Sequence, residues 1–150
     1  MTAGAAINPA PACGLCGESG GELVWQDAQL RVILADEPDY PGFCRVVWNA
    51  HVAELSDLDA AGRWHLMHIV IRVEQVLREI MLPDKINLAS LGNQVPHLHW
   101  HVIPRFADDA HFPSPVWAPK RHTVSPALQA ERDARAAQLP DALRRELERV

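Results

Sequence analysis

The sequence predicts an α+β domain with a mostly antiparallel five-stranded sheet, one long helix and a C-terminal segment that is irregular and then helical. Three observations predict it. Five short segments rich in β-branched and aromatic residues are bounded by turn formers. One long segment between the third and fourth of these has apolar residues at helical spacing. The last 26 residues, 125–150, are rich in charged residues, alanine and leucine.

Each predicted strand follows from its own pattern. The first two form a hairpin joined at Asp27 and Ala28. The third is nearly continuous in apolar residues, which is typical of a central strand, and the fifth ends at Pro104. The five predicted strands are residues 22–26, 29–35, 43–50, 86–91 and 97–103.

The helical segments are bounded by capping and breaking residues. Ser56 is the predicted N-cap of the long helix, with acidic residues in its first turn, and Pro83 stops it. The C-terminal segment predicts two short helices broken at Pro140. The long helix should bury the apolar positions Leu58, Ala61, Leu66, Ile69, Val70, Val73, Val76, Leu77 and Ile80.

Composition excludes several classes of function. With 150 residues, 48% of them hydrophobic, the chain is long enough for one domain with a real core. A formal charge of −5 argues against binding duplex nucleic acid, and no apolar run reaches the length of a membrane span. The N-terminus lacks the basic start and apolar stretch of a signal peptide, so the cytoplasm is the expected compartment.

Three histidines stand in strict alternation in the fifth predicted strand. Because successive side chains of a strand point to opposite faces, His97, His99 and His101 should share one face. The apolar residues between them should pack the other face into a core. Imidazole is a nucleophile, a metal ligand and an acid–base group near neutral pH. This row therefore predicts a chemical site on a rigid element.

Two of the three cysteines form a Cys-x-x-Cys pair at Cys13 and Cys16. Such a pair is a redox site, half of a metal site, or accidental. Flanking glycines and the lack of a following βαβ unit argue against a thioredoxin-like site, and a zinc site needs two more ligands. Cys44 lies in an apolar run and should be a buried small hydrophobe.

The segment from His97 to Ile103 resembles the signature of the histidine triad (HIT) superfamily of nucleotide hydrolases and transferases. The resemblance extends from about residue 13 to about residue 117. Val95 before the triad and Pro104-Arg105 after it resemble the branch of the dinucleoside polyphosphate hydrolases. The resemblance implies a HIT domain at residues 13–120, after a flexible arm (1–12) and before a helical extension (121–150).

The resemblance implies a role for each candidate site residue. His99 would attack the α-phosphorus of a dinucleoside polyphosphate or a phosphoramidate-type nucleotide and form a nucleotidyl-histidine. His101 would donate to a non-bridging oxygen. Gln94 would contact the leaving group or a phosphate, with a solvated loop amide as the alternative. Asp36 is either a ribose ligand or a loop cap. The implied nucleotide-binding residues are Asp36, Asn87, Ser90 and Asn93.

The same resemblance completes the cysteine pair. His51 and His97 would join Cys13 and Cys16 in a closed, structural Cys2His2 zinc site. Magnesium, if it takes part, would enter with the substrate. Relatives commonly form homodimers, which implies the same here.

One departure from the family pattern concerns Phe43. Many relatives carry a fourth histidine after the small-residue turn, where this chain has Pro41-Gly42-Phe43. The departure supports an alternative function, a zinc-stabilised nucleotide-binding or adaptor protein with weak or no catalysis. Outside the triad, His65 and His68 are predicted to be solvated on the long helix. Trp117 could pack against a base, a partner subunit or the core.

Overall fold

The computed structural model describes residues 12–150, so the predicted arm lies, apart from its last residue, outside the described residues. The sheet is antiparallel throughout, with strand order β1-β2-β3-β5-β4. The α+β prediction is confirmed. The strands are β1 (Glu22–Gln26), β2 (Leu30–Leu34), β3 (Cys44–Trp48), β4 (Lys85–Ala89) and β5 (His99–Arg105). The α-helices are α1 (Gly14–Gly17), α2 (Ala60–Met81), α3 (Pro126–Ala136) and α4 (Leu139–Leu147).

The two faces of the sheet have different surroundings. One face packs against α2 and α4 and forms the main hydrophobic core, which includes Val102 of β5 and the fully buried Cys44 of β3. The opposite face carries His99 and His101. The alternation along β5 therefore separates core from site, as the sequence predicts.

Helix α2 begins later than predicted. Asp59, not Ser56, is the N-cap, and its carboxylate accepts from the backbone N–H of Gly62 at 2.7 Å. Ser56 lies in a separate 3-10 turn, Leu55–Asp57, because the extended backbone of Leu58 interrupts the helical path. At the other end Leu82 adopts a left-handed conformation directly before Pro83, which confirms the predicted stop. The central apolar positions are buried, but Ala61 is exposed and Ile80 is half-buried.

Strand β5 continues through Pro104 to Arg105, so the prediction that Pro104 ends it is wrong. The carbonyl of Arg105 accepts from Asp84 on the β4 side, so the nitrogen of Pro104 points the other way. The pairing of β5 with β3 ends at the Cys44–Val102 pair, before Pro104. The missing N–H of Pro104 therefore costs no ladder hydrogen bond.

The C-terminal helices also differ from the prediction in detail. They are separated at residues 137–138, and Pro140 lies inside the first turn of α4, where a missing N–H is harmless. Leu139, Leu143 and Leu147 are buried in the main core. Arg144 donates from Nε to the carbonyl of Val24 at 3.0 Å. Val24 lies at a β-bulge, where the register of β1 against β2 shifts. None of the helices within residues 12–150 is both long and apolar enough to cross a membrane.

Candidate active site and metal centre

A cleft of about 550 Å³ opens on the histidine face of the sheet. His99 and His101 are buried in its floor, with ring centroids 4.8 Å apart. The loop after β4 forms one wall, and Trp117 contributes another. The lining residues are Leu15, Glu37, Arg45, Leu91, Gly92, Asn93, Gln94, Val95, His99, His101 and Trp117.

His99 is held in a single tautomer. Its Nδ1 lies 2.6 Å from the carbonyl oxygen of His97, and because a carbonyl can only accept, Nδ1 carries the proton. The lone pair is then on Nε2. Burial lowers the pKa of His99, and the charge of Arg45 lowers it too, although the hydrogen bond to the carbonyl of His97 opposes them. At neutral pH the ring is an uncharged imidazole, the form that acts as a nucleophile.

His101 is packed rather than hydrogen-bonded at its inner nitrogen. Its ring meets Phe43 and Trp117 edge to face, with centroids at 5.5 and 5.1 Å. Its Nδ1 is buried without a hydrogen-bond partner among the described residues. Burial lowers the pKa of His101 to about 3, with contributions from His99 and the charge of Arg45. His101 is therefore a neutral ring whose other nitrogen, Nε2, is available to a ligand.

The structure brings Asn93 and Gln94 to the cleft. The turn that places them requires Gly92, whose φ of 74° lies in the left-handed region. Both side chains are exposed, as residues that meet a ligand would be. Their roles in binding stay predictions.

Three other predicted ligands do not line the cleft. Ser90 donates from its hydroxyl to the carbonyl of His99 at 2.9 Å, so it supports the strand under the nucleophile. Asn87 accepts from Arg105 Nη1 at 2.7 Å. Asp36 lines a separate cavity with Lys120. The nucleotide-binding roles predicted for these three residues stay untested.

Two charged residues of the cleft, Arg45 and Glu37, are missing from the sequence predictions. Arg45 pairs directly with His101 across β3 and β5. A single charged residue in the otherwise apolar strand β3 was a signal that could have pointed to it. No pattern in the sequence indicated Glu37.

A second cluster adjoins the cleft. Four possible ligand atoms, one each from Cys13, Cys16, His51 and His97, all lie within 4.8 Å of one another. Helix α1 brings the two cysteines together, and Arg31 holds it by donating to the carbonyl of Leu15 at 2.6 Å. The four residues could hold a metal ion.

The spacing of these atoms fits a tetrahedral ion. Ordinary zinc bond lengths imply about 3.3 Å between two nitrogens and about 3.5 Å between nitrogen and sulfur. The two Nδ1 atoms of His51 and His97 are 3.3 Å apart. Nδ1 of His97 is 3.4 Å from each sulfur, and Nδ1 of His51 is 3.3 Å from Cys16 Sγ. Nε2 of His97 donates to the carbonyl of Trp48 at 2.5 Å, which leaves Nδ1 unprotonated and facing the cluster.

The remaining histidines have structural partners. His65 is half-buried and lies 2.6 Å from the carboxylate of Asp27 in the β1–β2 turn, so the prediction that it is solvated is wrong. His68 is half-buried and stacks on the exposed Trp64. His111 is buried, with its Nδ1 2.5 Å from the hydroxyl of Tyr40. Trp117 is 53% exposed, which excludes the core alternative.

A buried ion pair anchors the segment that carries Trp117. Arg105 and Asp109 are both buried and form a bidentate pair, with Nε–Oδ2 at 2.7 Å and Nη2–Oδ1 at 3.1 Å. Arg105 also donates to the carbonyl of Ser114 at 2.8 Å. Burial alone would raise the pKa of Asp109, but hydrogen bonds from Arg105 and from three backbone N–H groups outweigh it and lower the pKa to about 2. The pair fixes the path of the chain toward the cleft.

The chain is similar to a known protein family. The model of the HIT domain family matches residues 17–108. An AP-4-A phosphorylase of Mycobacterium tuberculosis is 32% identical in a 98-residue alignment that covers 61% of this chain and 50% of that protein. The chain thus spans about half the length of the curated relatives it matches.

Solved structures share the fold. A histidine triad protein from Bradyrhizobium japonicum is 31% identical with a TM-score of 0.68, over 85% of this chain and 91% of that one. A zinc-bound histidine triad family protein from Mycobacterium smegmatis is 22% identical with a TM-score of 0.61, over 89% and 94%. At that identity the second likeness shows the fold alone.

Proposed function

This chain belongs to the HIT domain family, and we therefore propose that it is a nucleotide hydrolase that attacks an α-phosphorus through His99. The observation that carries the proposal is the 2.6 Å hydrogen bond from His99 Nδ1 to the carbonyl of His97. It leaves Nε2 as a lone-pair nitrogen in the floor of a cleft wide enough for a nucleotide. The likeness to part of an AP-4-A phosphorylase supports a dinucleoside polyphosphate as substrate.

The first half of the proposed reaction forms a covalent intermediate. The Nε2 lone pair of His99 attacks the α-phosphorus, the P–O bond to the leaving phosphate breaks, and its electron pair leaves with that oxygen. His101 donates from Nε2 to a non-bridging oxygen, where negative charge grows in the transition state. The amide of Gln94 donates to the leaving oxygen.

The second half returns the enzyme to its starting state. A water molecule attacks the phosphorus, the N–P bond breaks, and its electron pair returns to Nε2 of His99. One water proton passes to solvent, and a nucleoside monophosphate is released. Splitting one difficult displacement into two steps is the general advantage of covalent catalysis.

Product analysis with diadenosine tetraphosphate tests this function. We expect AMP and ATP, whether or not inorganic phosphate is present, and an acid-quenched AMP adduct that mass spectrometry locates on His99. ADP in place of AMP, only when phosphate is added, would make the protein a phosphorylase and reject hydrolysis. Nucleotide binding without any product would favour the adaptor alternative.

For the second cluster we propose zinc, because two thiolates and two imidazoles at tetrahedral spacing are a donor set that zinc prefers. Bound zinc would cross-link helix α1 to His51 and His97 and supply no chemistry to the cleft. His97 has two tasks in this arrangement: its ring belongs to the cluster, while its carbonyl orients the nucleophile.

The zinc assignment predicts the effect of Cys13→Ser. Zinc per chain should fall from about one to below about 0.2, because three ligands bind zinc far more weakly than a closed set of four. Cys44→Ala is the matched control, since Cys44 is a buried core residue away from the cluster. Plasma emission spectrometry after dialysis measures the metal. Equal zinc in Cys13→Ser and wild type would reject the assignment.

We also propose a homodimer that forms through the edge strand β4. This edge of the sheet has no neighbouring strand among the described residues, and it lies beside the exposed Leu88, Leu91 and Trp117. Light scattering coupled to size exclusion should give a mass of two chains. A mass of one chain at micromolar concentration would reject the dimer.

A further inference from the structure

Arg45 lies in the cleft at the place where phosphate chemistry needs positive charge. It stands on β3 directly opposite His101. Phe43, Arg45 and Val47 alternate with core residues and so share the cleft face of the sheet. Among the described residues that line the cleft, Arg45 is the cation and Glu37 the anion.

The guanidinium of Arg45 is held loosely. A guanidinium has five N–H donors. Within residues 12–150 its hydrogen-bond partners are the carbonyl of Gly20 at 3.2 Å and the carboxylate of Glu37 at 3.5 Å. The ring of Phe43 lies 5.4 Å from its central carbon. Because the side chain of Glu37 is 45% exposed and the contact is long, a stronger anion can replace it.

The other polar groups of the cleft offer hydrogen bonds to a phosphate. His99 and His101 are buried in its floor. Asn93 and Gln94 add only amides. A polyphosphate that enters this cleft has Arg45 as its counter-charge, and a fork of N–H donors suits two phosphate oxygens at once.

We propose that Arg45 determines substrate specificity by binding phosphate oxygens beyond the α-phosphorus. The cleft then prefers a nucleotide whose leaving group is itself a phosphate over one whose leaving group is a neutral amine. This inference rests on the proposed function and goes further, since it distinguishes a dinucleoside polyphosphate from a phosphoramidate. Glu37 is the counter-ion of Arg45 that the polyphosphate displaces.

The experiment compares two substrates in wild type and Arg45→Met. For diadenosine tetraphosphate we expect kcat/KM to fall by about 10- to 150-fold, the scale on which one charge-assisted hydrogen bond contributes. For adenosine 5′-phosphoramidate we expect a fall of less than about threefold. Glu37→Gln should lower KM for the polyphosphate, because the competing carboxylate is gone. Arg78→Met, at a 67% exposed side chain on α2, is the control for loss of one positive charge.

A binding measurement keeps this inference separate from the proposed function. Calorimetry with the His99→Ala protein should give tighter binding of ATP than of AMP. The double variant His99→Ala/Arg45→Met should lose at least about tenfold in ATP affinity and keep its AMP affinity. Absence of turnover in wild type would reject the hydrolase but leave this comparison intact. Equal losses for both substrates, or for both nucleotides, would overturn the role of Arg45.

Discussion

The His99→Ala protein is expected to lose nucleotide turnover by about 10³-fold or more, the scale on which enzymes lose activity without their nucleophile. The side chain is the lone-pair donor of the proposed mechanism, and no neighbour can replace it. The ring of His101 packs against Phe43 and Trp117, and within residues 12–150 its Nδ1 has no hydrogen-bond partner that fixes it. The measurement is steady-state release of AMP from diadenosine tetraphosphate.

Two controls accompany His99→Ala. His68→Ala removes an imidazole that stacks on Trp64 and lies outside the cleft lining, and it should keep its rate. Thermal unfolding should show that His99→Ala remains folded, with about 1–3 kcal/mol lost because the carbonyl of His97 loses its donor. Turnover that survives in the folded variant, or an adduct on another residue, would reject His99 as the nucleophile.

The second large effect concerns stability. Asp109→Asn should lower the free energy of unfolding by about 3–5 kcal/mol, because it leaves the charge of buried Arg105 without a counter-ion. Urea denaturation at pH 7 measures the change. Asp141→Asn is the matched control, since the Asp141–Arg144 pair is exposed and should contribute less than about 0.5 kcal/mol. Similar losses in the two variants would contradict the role given to the buried pair.

The same pair predicts a pH dependence. The pKa of Asp109 is lowered from 3.8 to about 2 in the folded protein, so its ionisation stabilises the fold above pH 3.8. That stability, about 2 kcal/mol, is lost as the pH falls through 2. The difference in unfolding free energy between wild type and Asp109→Asn should therefore shrink between pH 4.5 and pH 2.5. A difference that stays constant over this range would be the contrary result.

Local patterns were enough to predict the scaffold of the site. Alternation along β5 predicts that His99 and His101 face away from the core, and the structure agrees. The helix start was misassigned because Ser56 and Asp59 both have capping side chains, and only the backbone at Leu58 decides between them.

Long-range placement could not be predicted in the same way. Asp36 and Asn87 have suitable chemistry, but packing turns one toward another cavity and joins the other to Arg105. Arg45 reaches His101 only through the pairing of β3 with β5, which no single segment reveals. The cysteine pair indicated a metal, yet its two remaining ligands required the family resemblance, because His51 and His97 are 46 residues apart.

The two edge strands of the sheet, β1 and β4, differ in the contacts that their outer backbone makes, and this limits how copies of the chain can assemble. At β1, Val24 lies at a β-bulge, and its carbonyl accepts a hydrogen bond from Arg144 of α4. At β4 no strand lies on the outer side among the described residues, and the side chain of Lys85 donates to the carbonyl of Ile86 at 2.9 Å. If two copies pair through β4, as proposed above, each copy uses that edge once, so the assembly closes as a twofold pair and does not extend into a fibre.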